Sequence, residues 1–237
     1  MTQDNDDILH RNLPVFLSKA NQLKQILEKQ DFQTLKKVWN CSDKLVLENM
    51  ERLKGMDLKK NLSPAVFSYI GLAYQHLSPN ALEEKGLEYL EKHLRILSGF
   101  YGVLKPFDGI TPYRLEMQAI LPDGKDLYSF WNDDIYQEVM DEDRVVINLA
   151  SKEYSKCIAD YLTDTDRMVT IVFAEMINDK LVQKGTMAKM ARGEMVYWMA
   201  ENQIEKVEDI QNFDIHYTFM KEYSNDKEYV FLKENKG

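Results

Sequence analysis

The sequence predicts an α+β fold, a helical N-terminal half packed on a mixed β-sheet. Apolar residues recur every three or four positions through the first hundred residues, and β-branched runs come mainly after residue 140. Helices first and strands later do not make a doubly wound βαβ repeat. The 237 residues, 44% apolar and 29% charged, can form a substantial core. No internal repeat and no linker rich in Gly, Ser or Pro interrupts them, so a single domain over 1–237 is expected, with residues 1–12 a disordered polar tail.

Val15, Phe16, Ala20, Leu23, Ile26 and Leu27 form one apolar stripe on a first helix of about 15 residues. A second helix follows Cys41-Ser42-Asp43, turns Leu45, Leu47, Met50 and Leu53 inward and stops at Gly55. Ser63-Pro64 and Ser78-Pro79 read as helix starts, a serine oxygen capping a free N–H and proline in the first helical position. The helix from Pro79 is expected to reach about Leu97 and end at Ser98-Gly99. Tyr113–Leu121 reads as extended up to a turn at Pro122-Asp123-Gly124, and Asp126–Val139 as helical. Arg144–Leu149 and Met168–Met176 read as buried strands, the second turning at Asn178-Asp179 into a partner strand. Met187–Asn202 is helical, and Ile215–Tyr223 with Glu228–Leu232 closes the chain as two strands.

The net charge of −9 excludes a protein that coats nucleic acid over its whole surface, but not one with a local basic cleft. Residues 92–107 carry Lys92, Arg95 and Lys105 without an acid, and residues 180–193 carry Lys180, Lys184, Lys189 and Arg192 without one. No apolar run is long enough to span a bilayer and the opening residues do not read as a signal peptide, so a cytoplasmic protein without a membrane partner is expected. Cys41 and Cys157 then read as reduced thiols. The common nucleotide-binding and hydrolase motifs are missing, His10, His76, His93 and His216 form no metal-ligand spacing, and no catalytic constellation, metal site or cofactor is indicated. Asp6, Asp7 and His10 could grip a metal at helical spacing, but a frayed solvated tail is the better account of them.

Three segments carry a functional signal. In Leu94–Pro106, Gly99 and Gly102 bracket a short apolar piece before Lys105; their backbone N–H groups could hold a phosphate, or Gly99 could be a plain helix C-cap. Lys189 and Arg192 share a helix face beside small residues Ala188, Ala191 and Gly193, with Thr186 as a cap; they form either a phosphate site or a solvated amphipathic face. Arg114 and Glu116 point the same way on an extended chain, as a structural pair or as two groups facing a cleft.

Taken in order, Ser42-Asp43-Lys44-Leu45 with Asn49 and Arg52, Leu97–Pro106, Pro112–Met117, Leu127–Trp131, Val146–Tyr154 and Ala188–Gly193 resemble the YaaA family of peroxide stress proteins over about residues 13 to 233. The resemblance implies a helix-hairpin-helix-like element, a positively charged cleft, non-specific binding to the DNA backbone and a role in limiting intracellular free iron under hydrogen peroxide. The DNA- or phosphate-binding residues would be Gly99, Gly102, Lys105, Arg114, Lys189 and Arg192. The family's opening strand and Ser-Pro-Ala-Lys turn have no counterpart before Leu13, which implies a shortened chain. Leu72 and His76 stand where the family has an acid and a second glycine. The alternative is an enzyme or binding protein that holds a phosphorylated or anionic small molecule in the same cleft; a regulatory protein with an indirect effect on iron is a third reading.

Overall fold

A computed structural model describes Met1 and residues 9–234. Its elements begin with α1 (Leu17–Glu28), α2 (Phe32–Trp39), α3 (Asp43–Lys54), β1 (Ser63–Pro64), α4 (Ala65–Ser68), α5 (Leu72–Leu77) and α6 (Glu84–His93). Then come β2 (Ile96–Ser98), β3 (Gly102–Leu104), β4 (Gly109–Ile110), α7 (Leu127–Trp131), α8 (Asp134–Val139), β5 (Val145–Asn148) and α9 (Lys152–Ala159). The chain closes with β6 (Arg167–Ile177), β7 (Lys180–Val182), α10 (Gly185–Glu201), β8 (Tyr217–Phe219) and β9 (Glu228–Lys233). These form an α+β fold in two compact units, one from Met1–Tyr69, Leu94–Val139 and Ala150–Leu162, the other from Ile70–His93, Met140–Leu149 and Thr163–Gly237.

In the first unit α1 buries Ala20, Leu23 and Leu27 of the predicted stripe while Val15 is exposed; α3 ends at Gly55 as expected but buries Val46, Asn49 and Leu53, leaving Leu45 and Leu47, expected inward, exposed. The helix α2 escaped the sequence reading. Its signals are a cap at each end: Asp31 Oδ1 accepts from the Thr34 N–H at 2.8 Å, and Asn40 adopts the left-handed conformation that stops it. Ser63-Pro64 does not cap a helix directly but pairs as a two-residue strand with Gly109–Ile110 before α4 begins. Asp6 and Asp7 lie outside the described residues. Arg11 and Asn12, expected in a disordered tail, are instead tied by backbone bonds to Phe107 and Gly109.

The largest departure is the segment expected to be helical up to Leu97. Ser78 has φ 44°, unsuited to an N-cap, and only a 3-10 turn at Pro79–Ala81 follows before α6, which ends at His93. Beyond it β2 and β3 form an antiparallel hairpin, Ile96 opposite Leu104 and Ser98 opposite Gly102, where a helix was expected to run to Leu97. The physical reason is burial on both sides: Ile96, Ser98 and everything from Gly99 to Leu104 are buried, and such a short apolar run has no helical period to favour the other choice. Tyr113–Leu121 likewise pairs with no strand; Ile120 bridges Asp126 around the expected turn, where Gly124 has φ 87°. The helix predicted over Asp126–Val139 breaks in two at Asn132, φ 50°.

The second unit holds a mixed sheet in the order β5-β6-β9-β8, with β7 also on β6. The β5/β6 and β6/β9 pairs are parallel, β6/β7 and β8/β9 antiparallel. Asn178 and Asp179 both take left-handed angles, which matches the twist of a two-residue hairpin turn. Strand β5 is half-buried rather than buried, apart from Asn148. Alternate residues of β6 (Val169, Ile171, Phe173) pack with Ala188, Ala191 and Met195 of α10 and with Phe213, Tyr217 and Phe231. This period-2 face against a helix stripe is what orients α10.

Candidate functional site

The predicted site residues fall in both units: Gly99, Gly102, Lys105 and Arg114 in the first, Lys189 and Arg192 in the second. The two glycines serve packing. A Cβ on Gly99 would lie 2.5 Å from the Leu115 carbonyl oxygen, and its own carbonyl accepts from Trp131 Nε1 at 3.0 Å. Gly102 has φ 74° and lies against Trp131 and Phe16. Between them the Tyr101 N–H donates to Ser98 Oγ at 2.9 Å.

Lys105 follows this hairpin and is exposed; its backbone N–H donates to Asp108 Oδ2 at 2.8 Å, while its ammonium has no ion-pair partner among the described residues. Arg114 Nη2 lies 3.0 Å from Glu116 Oε1, so the structural pair foreseen for these two residues forms.

In the second unit α10 begins one residue before the expected cap: Lys184 is the N-cap, and Thr186 makes no capping bond. Three sides of this helix have different tasks. Ala188, Ala191 and Met195 face the sheet. Gly193 meets α5, where a Cβ would come within 2.0 Å of the Ala73 carbonyl oxygen. A residue without a side chain there admits the neighbouring backbone. His76, at the family's glycine position, accepts or donates at 2.9 Å with Glu194 Oε1. Lys189 and Arg192 lie on the remaining side, one turn apart. Lys189 is exposed; Arg192 is half-buried.

Neither cation has an acid partner among the described residues, and the buried Arg192 Nε has no hydrogen-bond acceptor. Loss of water around that guanidinium lowers its proton affinity below the ordinary arginine value. Other members of the basic windows are neutralised: Lys184 by Glu175 at 2.6 Å and Lys92 by Glu205 at 3.1 Å. Counting bases along the chain overstates the free positive charge, because the acids that cancel it lie outside the two basic windows.

Burial pushes the Cys157 thiol up to about 12, which leaves it inert at neutral pH. Among the described residues no group of three or more His, Cys, Asp or Glu could hold a metal ion, and no helix is long and apolar enough to cross a membrane.

Comparison with known proteins agrees with the motif order. A family model described as peroxide stress protein YaaA matches residues 1–223. A protein named UPF0246 protein from Agathobacter rectalis is 51% identical over 98% of this chain and 94% of its own length. Similarly named proteins of Lachnoclostridium phytofermentans and Pediococcus pentosaceus are 48% and 44% identical, over 93% and 98% of this chain and 88% and 94% of their own lengths. With the family model covering nearly the whole chain and the identity sustained end to end, the chain belongs to the YaaA family of peroxide stress proteins.

Proposed function

We propose that this peroxide stress protein binds DNA through its backbone phosphates, without reading sequence, and that it helps to limit intracellular free iron. One observation carries the DNA reading. Arg192 is a half-buried guanidinium without a counter-ion among the described residues, one turn from the equally unpaired Lys189. Partial burial of an unpaired charge costs free energy, and a phosphate oxygen supplies the missing acceptor and the missing charge together. In the other unit Lys105 is exposed and without an ion-pair partner among the described residues, while half-buried Arg114 is already shared with Glu116. The iron role rests on the family resemblance and its peroxide-stress description.

The test is titration of duplex and bubble DNA with wild type and Lys189→Ala/Arg192→Ala between about 50 and 200 mM salt. The double variant is expected to bind more weakly, and its salt slope to fall by about two, because two phosphate contacts no longer release counterions. Equal affinity and equal slope for both proteins would remove the assignment. The competing reading, a small phosphorylated ligand on the same cations, predicts no saturable DNA binding by wild type. For iron, paramagnetic free iron in peroxide-treated cells should be lower with the protein than without it.

A further inference from the structure

Past the sheet of the second unit, β6 and β7 continue as a short two-stranded arm. Strand β5 follows β6 no further than Thr170 and β9 no further than Ala174. Met176 therefore pairs only with Leu181, and Ile177 only with Lys180, around the Asn178-Asp179 turn. Every residue from Met176 to Leu181 is exposed. Residues opposite one another share a face of the ribbon and neighbours along a strand alternate, so Met176 and Leu181 stand on one face and Ile177 on the other. A solvated antiparallel ribbon normally turns its apolar face to the core and a polar one to water. This arm carries large exposed apolar side chains on both.

The arm is fixed at base and tip. At its base Glu175 is held by Lys184 Nζ at 2.6 Å and by Lys233 Nζ at 3.1 Å, which ties it to the start of α10 and to β9. At its tip Asn178 (φ 49°) and Asp179 (φ 59°) close the turn in two residues.

Local charge selects the partner. From Glu175 to Arg192 the chain carries four cations, Lys180, Lys184, Lys189 and Arg192, against two acids, in a protein whose net charge is −9. Lys233 further offsets Glu175. Such a cation-rich stretch favours a polyanion. Hydrocarbon is disfavoured, because the polar, charged Asn178-Asp179 turn would have to enter it first. A two-stranded ribbon fits a DNA groove, and Met and Leu are among the side chains that wedge between base steps from the minor groove.

We propose that the β6–β7 arm enters the minor groove of DNA and partly unstacks a base step with Met176 and Leu181, Lys180 lying along the phosphates. This rests on the DNA reading above and adds to it a contact with the bases. Unstacking is easiest at flexible pyrimidine–purine steps, so the arm confers a preference by deformability rather than by base edges.

A duplex with 2-aminopurine in a central TA step reports unstacking as a rise in fluorescence. Wild type should raise it on saturable binding. Met176→Ser/Leu181→Ser, at exposed positions, should lose the rise and bind roughly tenfold more weakly, with an unchanged salt slope because the phosphate contacts remain. Leu181→Ser alone should weaken binding several-fold, and carries the test if the double variant fails to fold. Ile120→Ser removes an exposed apolar side chain from the first unit and should change neither readout. DNA binding that depends on Lys189 and Arg192 but brings no fluorescence rise, or is unaltered in both arm variants, overturns the wedge and leaves the DNA reading standing. No DNA binding by wild type removes both. Binding to phosphatidylglycerol vesicles that needs Met176 and Leu181, or a dimer in sedimentation that the double variant loses, assigns the arm to a bilayer or a second copy and likewise overturns the proposal.

Discussion

Replacing Gly193 by alanine sets helix propensity against close packing. Within a helix interior alanine is favoured over glycine by about 0.8–1 kcal/mol, so propensity alone predicts a more stable protein. Against this, the added Cβ would lie 2.0 Å from the Ala73 carbonyl oxygen, 2.8 Å from the Leu77 nitrogen and 2.9 Å from His76 Cβ. All three belong to α5, and the two nearest are backbone atoms, so no change of rotamer relieves the overlap. The first contact is about 1 Å inside the 3.0 Å that real Cβ atoms respect. The two helices must move apart, loosening the buried Leu77 and lengthening the 2.9 Å contact between His76 and Glu194.

Overpacking of this kind costs about 1–3 kcal/mol, occasionally more, and here the obstacle is rigid. A rigid backbone obstacle places the cost in the upper part of that range, about 2–3 kcal/mol, so after the propensity gain the net loss is about 1–2 kcal/mol. In urea, with a slope of about 2 kcal/mol per molar, the midpoint should fall by roughly 0.5–1 M. Gly185→Ala, at the start of the same helix with nothing within 4 Å of its added Cβ, is the matched control and should unfold at the wild-type midpoint or slightly above it. A Gly193→Ala midpoint equal to or above that of wild type would refute the packing argument.

Further predictions concern the first unit. Trp131→Phe leaves the buried Gly99 carbonyl without its 3.0 Å donor and should cost about 1–3 kcal/mol in the same urea assay; an unchanged midpoint would show that bond to be dispensable. With the Cys157 thiol pushed up to about 12 by burial and Cys41 half-buried, a thiol reagent near pH 8 should label one cysteine rapidly and the second only in denaturant. Two rapid equivalents would contradict the burial argument. Burial and the neighbouring Tyr69 hydroxyl hold Tyr113 well above the ordinary 10.0, and burial raises Tyr101 and Tyr154 as well. The unfolded chain releases these protons near pH 10 while the folded chain keeps them. Their contribution to stability is therefore complete below about pH 10 and is lost as pH rises toward the folded values. Urea midpoints should decline above about pH 10, less steeply in Tyr113→Phe; a flat profile to pH 11 sinks this assignment.

Much of the fold was legible along the chain. The α1 stripe, the Gly55 stop, the β-branched run of β6 with its Asn178-Asp179 turn, and the span of α10 all follow from local period and local turn chemistry. These elements each bury one face, so their pattern has a period to read. The six ordered motifs also carried the family. What local reading missed lies where both faces are buried or where a backbone angle decides. Leu94–Leu104 has no period, and its hairpin depends on Trp131 and Leu115, distant residues that receive the Gly99 turn. Asn132 splits one expected helix through a single left-handed angle.

The candidate sites divide in the same way. Lys105, Arg114, Lys189 and Arg192 were named from charge that is uneven along the chain. Apart from the Arg114–Glu116 pair, which their spacing offered, the state of pairing was not legible: Lys184 is cancelled by Glu175, and Arg192 has nothing among the described residues. Met168–Met176 reads as a buried strand throughout, and only the register shows that β9 follows it no further than Ala174 and leaves Met176, Ile177 and Leu181 exposed. Sequence determines which side chains can donate, and by its periodicity which faces seek the interior. Only tertiary structure decides which donors are left without an acceptor, because that depends on neighbours brought in by long-range packing.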